Sequence, residues 1–169
     1  MPNAITDSNR ITKIFDRLYT SGMAPLRAID PDALNKFGII VSITENAVSS
    51  LREFTNENDI EYRHFTSKDS TRSRIGRLFN PIYDILLSHY ISGRTTGKNI
   101  LIHSENGISR PTTILIAFLL KYLSEYCETV DANINNTDLL LHNVQLRRAA
   151  AQPNTGFMNA LYKYEGELF

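Results

Sequence analysis

The segment His103-Ser104-Glu105-Asn106-Gly107-Ile108-Ser109-Arg110 concentrates the chemistry this chain can do. It joins an apolar run, Asn99-Ile100-Leu101-Ile102-His103, to a helix that Pro111 opens. A strand that enters a glycine-containing loop and then a helix N-terminus is a recipe for an anion site. Successive backbone N–H groups point inward, and the helix dipole favours negative charge. Gly107 adopts backbone angles that a side chain would oppose. Arg110, six residues after Ser104, offers a planar fork that grips two phosphate oxygens at once. Pro111 costs nothing at the first helical position, where the N–H is unpaired anyway. The phosphate-binding residues are therefore read as Ser104, Glu105, Asn106, Gly107, Ile108, Ser109 and Arg110. The competing reading is a plain strand–turn–helix junction with a solvated Arg110; the flanking pattern favours the phosphate site.

The surrounding chain must hold that loop in place. Residues 1–10 are polar and read as a flexible N-terminal arm, and residues 11–169 as one domain. Ile14 to Tyr19 reads as one short strand region. Asp30 caps a short helix with Pro31 in its first position and Gly38 at its end. Residues 39–43 form a β-branched strand buried on both faces. A weak helix is expected over 49–58, a strand over 60–65 and a polar loop over 66–74. Ile75, Leu78, Phe79, Ile82, Leu86 and Tyr90 follow helical spacing, with Pro81 imposing a kink or a later start. Residues 92–97 read as a turn. A helix runs from Pro111 to about Leu123, a loop covers 125–136, and two more helices are expected over 137–148 and 154–165. Strands alternating with helices make an α/β fold with a mostly parallel central sheet flanked by helices.

The bulk properties bound the function. The chain has 169 residues, enough for a real core, and 42% of them are hydrophobic. Lysine plus arginine equals aspartate plus glutamate, 18 against 18, so neither nucleic acid nor an anionic membrane is expected as the main partner. The lone cysteine, Cys127, forms no disulfide within the chain and suits a reducing compartment, cytoplasmic or nuclear. The N-terminus lacks the charged and apolar regions of a secretory signal. The apolar run 114–120 is too short to span a bilayer and reads as a buried helix. His64, His89 and His142 read as packing or surface residues. No His, Cys or carboxylate cluster has metal-ligand spacing, and neither metal nor cofactor is expected. Composition sets no oligomeric state.

The loop resembles the signature of the dual-specificity branch of the protein-tyrosine-phosphatase superfamily: His-Cys, five residues, Arg, then Ser or Thr. Here the stretch reads Ile102-His103-Ser104-Glu105-Asn106-Gly107-Ile108-Ser109-Arg110-Pro111. The helix Thr113-Ile114-Leu115-Ile116-Ala117-Phe118-Leu119 is similar as well. So is Arg147-Arg148 followed by Pro153-Asn154-Thr155-Gly156-Phe157-Met158, and, more weakly, Leu18-Tyr19-Thr20-Ser21-Gly22. The likeness covers about residues 11–167, with 125–136 resembling a small insertion. It implies the cysteine-phosphatase fold and a phosphoprotein as partner. It also implies that Ser104 occupies the nucleophile's position and Arg110 the phosphate-gripping one. Active members carry a general-acid aspartate on an upstream loop, and the resemblance transfers that position to Asp69 within 67–71. From its own surroundings, Asp69 in a polar loop reads more often as a solvated residue or a turn former, and its place in the family pattern favours the acid role.

Two positions depart from the pattern. The mechanism needs a thiolate held ionised by the loop, whereas the Ser104 hydroxyl stays neutral without a base beside it. In the family the histidine at the place of His103 is structural. Pro111 replaces a hydroxyl that assists hydrolysis of the phosphocysteine, and Thr112 is expected to point elsewhere. Cys127 has no glycine loop and no arginine six residues on, so it does not substitute. Two losses in one loop resemble pseudophosphatases of the STYX type. Phosphate binding is expected to survive: removing a thiolate removes a repulsion of at least ~1 kcal/mol from beside a phosphate dianion. Glu105 is expected to point away from the phosphate, and the absence of lysine between Ser104 and Arg110 disfavours phosphoinositides. The leading expectation is a catalytically inactive domain that binds phosphorylated Tyr, Ser or Thr in proteins. The alternatives are an active dual-specificity phosphatase whose cysteine was engineered to Ser104, and a scaffold with a silent pocket.

Overall fold

The computed structural model describes residues 9–130 and 134–169. Most of the expected arm, residues 1–8, lies outside the described residues. A five-stranded sheet has the order β1-β2-β5-β3-β4. Strand β1 (Thr12–Phe15) runs antiparallel to β2 (Leu18–Ser21), and β2 runs parallel to β5 (Asn99–His103). On the other side of β5, β3 (Phe37–Thr44) is parallel to it, and β4 (Glu61–Thr66) is parallel to β3. The sheet is mixed, with parallel pairing everywhere except the β1 edge. The carboxyl end of β5 therefore lies mid-sheet, with His103 in register with Ser21 on one side and Ser42 on the other. Open α/β sheets place ligands outside the carboxyl ends of their strands.

Apolar side chains fill both faces. Leu18, Ile39, Val41, Ile43, Ile100 and Ile102 face α4 (Phe79–Thr96), α5 (Arg110–Tyr126), α6 (Asn136–Arg147) and α7 (Thr155–Leu168). Phe37, Ile40 and Leu101 face a smaller cluster with α1 (Ala24–Arg27), α2 (Pro31–Leu34) and α3 (Ser49–Glu57). Helix α5 is the spine: Ile114, Leu115, Ile116, Phe118 and Leu120 are each at most 2% exposed. Each such side chain contributes roughly 1.5–3 kcal/mol on burial. Among the described residues no helix is long and apolar enough to cross a membrane.

Several expectations need correction. The single strand over 14–19 is a hairpin, turned at Asp16-Arg17 with Arg17 at φ 58°. The Arg17 guanidinium reaches α4, where Nη1 donates to the Tyr90 carbonyl at 2.6 Å and the group lies 4.5 Å from the Tyr90 ring centroid. Asp30 does cap α2, its side chain accepting from Asp32 N, but the helix ends at Leu34. Gly38 belongs instead to β3, at an irregularity in the pairing with β5 that puts Phe37 and Ile40 on the same face. Residues 92–96 are helical, and the turn begins at Gly97, a left-handed cap with φ 70°. Gly93 is a glycine for packing: a β-carbon there would lie 2.6 Å from the Lys98 carbonyl oxygen and press on the Arg17 guanidinium. Pro81 gives the later start: Ile75–Leu78 is a 3-10 turn and α4 begins at Phe79. The loop expected over 125–136 is shorter at both ends, since α5 runs to Tyr126 and α6 starts at Asn136.

Candidate functional site

The loop 104–110 leaves the end of β5 and feeds α5. Its backbone is tied to its surroundings by carbonyls. The Glu105 carbonyl accepts from Met23 N at 2.9 Å, and the Gly107 carbonyl accepts from Arg148 Nε at 2.9 Å. The Ile108 carbonyl takes Gln152 N at 3.0 Å and Thr112 Oγ1 at 2.7 Å, and the Ser109 carbonyl takes Thr113 N and Oγ1. In a trans peptide the C=O and the following N–H point in opposite directions. Four carbonyls drawn outward thus turn the N–H groups of Asn106, Ile108, Ser109 and Arg110 toward the loop interior. Among the described residues, none of the amides of Asn106, Ile108 and Ser109 finds an acceptor. Inward-turned amides without acceptors have the form of the backbone nests that suit anions.

Arg110 is 4% exposed. Its Nη1 donates to the Ser67 carbonyl at 2.9 Å, Nη2 pairs with the Glu105 carboxylate, and buried Nε has no hydrogen-bond partner. Glu105 therefore does not point away from the site. Its carboxylate, still 42% exposed, reaches back across the loop to the guanidinium. An arginine fork accepts a carboxylate and a phosphate with the same geometry, so the two compete for it.

Ser104 is 1% exposed, and its Oγ accepts from Gly107 N at 3.0 Å. Among the described residues no imidazole or carboxylate lies within hydrogen-bond reach of that hydroxyl. His103 adjoins it in sequence, but its Nε2 bonds Ser42 Oγ instead. Complete burial pushes the His103 ring down to about 4; a contact with the Ser104 backbone opposes that fall, and the Arg110 charge adds to it. The ring is neutral at physiological pH and does not face the hydroxyl. Thr112 spends its hydroxyl on the Ile108 carbonyl, as expected, and Pro111 is buried.

The depressed His103 value has a pH consequence. The unfolded imidazole titrates near 6.5, above the folded one, so the unfolded chain binds the proton first. The stabilisation is whole above pH 6.5, falls as the pH drops toward 4, and levels off below. The His103 share is about 3 kcal/mol across that window. Urea denaturation at pH 7.5 and pH 4.5, comparing the parent chain with His103→Asn, is expected to show the stability gap between them shrinking by about that amount.

Asp69 sits exposed on the loop after β4, and its Oδ1 accepts from Asn154 Nδ2 at 2.9 Å. Asn154 also caps α7 by accepting from Phe157 N, and its own N–H bonds Ser109 Oγ at 3.0 Å. One residue thus joins the Asp69 loop, the phosphate loop and a helix. Gly156 completes the junction, since a β-carbon there would lie 2.7 Å from Thr71 Cα. The structure brings Ser104 to Arg110 together and tethers Asp69 beside them through Asn154 and Ser67. Sequence reasoning had noted Pro153-Asn154 and Arg147-Arg148 only as resemblances; Asn154 and Arg148 emerge here as residues that position the loops.

The model of the dual specificity phosphatase catalytic domain matches residues 22–167. The chain belongs to the dual-specificity phosphatase family. Dual specificity protein phosphatase 15 of Mus musculus is 31% identical over 159 residues, covering 92% of this chain and 58% of that protein. Dual specificity protein phosphatase 18 of Homo sapiens is 29% identical over 136 residues, covering 80% and 62%. The chain thus spans about three fifths of the length of these two relatives. The crystal structure of human DUSP28 superposes with a TM-score of 0.73 over 94% of both chains at 17% identity, a likeness of fold. Among the described residues no group of His, Cys, Asp or Glu could hold a metal ion.

Proposed function

We propose that this dual-specificity-phosphatase-like domain is catalytically inactive and binds phosphorylated Tyr, Ser or Thr in proteins through residues 104–110. One observation supports the reading: the buried Arg110 and inward-turned amides suit an anion, while among the described residues the Ser104 hydroxyl within the loop has no base to activate it. Pro111 removes a second hydroxyl from the same place. The one cysteine favours a reducing compartment, cytoplasm or nucleus, as the setting.

Binding requires phosphate to displace Glu105 from Arg110. That ion pair also supports a second reading, a scaffold whose pocket is silenced by its own carboxylate. Titration with a phosphotyrosine peptide and a phosphoserine peptide separates the two. Capture predicts saturable binding to at least one of them, weakened ~30-fold or more by Arg110→Ala, since hydrogen bonds to a charged group are worth ~1.5–3 kcal/mol. Glu105→Gln frees the guanidinium and tightens binding about fivefold, in line with a partly exposed ion pair. Binding that survives Arg110→Ala unchanged would falsify capture.

Turnover of an aryl phosphate tests inactivity. The parent chain is expected to show none. Ser104→Cys alone gives slow turnover, and adding Pro111→Ser raises it about tenfold or more by restoring the missing hydroxyl. Brisk turnover by Ser104→Cys alone, together with a cysteine codon at 104 in the native gene, would replace this reading with an active phosphatase.

A further inference from the structure

Lys68, Arg72, Arg74 and Arg77 fall in one stretch, 67–78, whose only acid is Asp69. In a chain with 18 cations and 18 acids this is a concentrated local excess. Asp69 is engaged by Asn154, and no carboxylate among the described residues pairs with any of the four cations. Lys68, Arg74 and Arg77 line a cavity of about 220 Å³ together with Ser67. Arg74 and Arg77 continue into a second cavity of about 340 Å³, where buried Phe79 and Tyr164 lie beneath exposed Lys163 and Glu167. Ser67 links this track to the phosphate loop, because its carbonyl is the acceptor for Arg110 Nη1.

We propose that the track Lys68–Arg74–Arg77–Lys163 binds an acidic polypeptide segment flanking the phosphorylated residue. The inference rests on the phosphate-capture reading. Three features select this occupant. The cations are exposed and spread over two adjoining hollows, which suits a series of carboxylates better than one compact dianion. The second hollow has an aromatic floor, which takes an apolar side chain between the acids. The track begins at a residue bonded to the phosphate-gripping arginine, so one extended chain can engage both. Rim charges of this kind act through steering and screened attraction, and they set specificity more than raw affinity.

The test compares phosphotyrosine peptides with neutral flanks against peptides with three glutamates on the N-terminal or the C-terminal side, by fluorescence anisotropy with the intact chain. One acidic flank is expected to tighten binding about tenfold at low salt, with the gain shrinking as salt rises. Arg74→Glu/Arg77→Glu, two exposed positions checked by circular dichroism, abolishes the gain and leaves the neutral-flanked peptide unchanged. Equal affinity for all three peptides, with capture intact, overturns this inference and spares the capture reading. A flank preference that the double variant retains overturns it too, as does a double variant that loses only binding to vesicles containing phosphatidylserine. Absence of binding to every phosphopeptide removes the capture reading and this inference with it.

Discussion

Arg148→Ala is expected to destabilise the chain by about 3–5 kcal/mol, the scale seen when a buried charged hydrogen-bonding group loses its side of a network. Arg148 is fully buried. Its Nε holds the Gly107 carbonyl, and its Nη1 holds the Arg10 carbonyl at 3.1 Å and Thr12 Oγ1 at 2.8 Å. Truncation strands two carbonyls and leaves a cavity among β1, the phosphate loop and the segment after α6. The functional effect is separate from the fold. Once the Gly107 carbonyl is released, no other hydrogen bond among the described residues holds it outward, and the Ile108 N–H is freer to turn from the loop interior. Phosphopeptide affinity is therefore expected to fall even at temperatures where the variant remains folded. Arg148→Lys tests the geometry: an ammonium keeps the charge but lacks the fork that spans separate acceptors. It is expected to recover about half of the lost stability and little of the binding. Urea denaturation with parallel peptide titration reads both. A variant within ~1 kcal/mol of the parent would show that Arg148 does not organise the loop.

The parts of this molecule that were readable in the amino-acid order are those set by local pattern. The β-branched run at 39–43, the apolar strand before Ser104 and the helix after Arg110 each declare themselves within a dozen residues, because burial on one or two faces imposes a period. The α/β class followed from their alternation. The hairpin at 12–21 was not readable. Its turn uses Arg17 at positive φ, where sequence rules look for glycine or asparagine, and the cost is offset by contacts with Tyr90, 73 residues away. Gly93 misled for the same reason, its partner being that arginine and not a turn.

The candidate site divides along the same line. Gly107 and Arg110 were legible as candidates because they share one loop between a strand and a helix that the pattern marks. The orientation of the loop amides was not, because it is set by Met23, Arg148 and Gln152, none of which adjoins the loop in sequence. The role of Glu105 was misjudged because a carboxylate five residues from an arginine has no fixed relation to it until the loop curls. The motif thus says where Ser104 and Pro111 depart from the family pattern, while the outward turn of three of its carbonyls is written in distant residues and only that of Ser109 in the adjoining helix.

Gly107→Ala is expected to have the largest effect on binding of any single methyl group added to this chain. Gly107 sits at φ 68°, where an L side chain costs roughly 1–2 kcal/mol. It also packs on the end of β2: a β-carbon would lie 2.6 Å from the Ser21 carbonyl oxygen and closer still to Gly22 N. Both neighbours are backbone, in a segment that also accepts Ser104 N at 3.3 Å and donates from Met23 N to Glu105. No rotamer relieves the overlap, so the loop itself must move. We expect a loss of about 3 kcal/mol or more of stability and a fall of ~100-fold or more in phosphopeptide affinity, because misplacing pre-aimed donors forfeits charge-assisted hydrogen bonds. Gly97→Ala is the internal control. Gly97 has nearly the same backbone angle, φ 70°, but nothing lies within 4 Å of the position its β-carbon would take. It caps α4 on the exposed surface, so its replacement is expected to cost about 1 kcal/mol and leave binding intact. If the two substitutions prove equally mild, backbone angle alone governs both positions and the close seat of the phosphate loop on β2 contributes nothing.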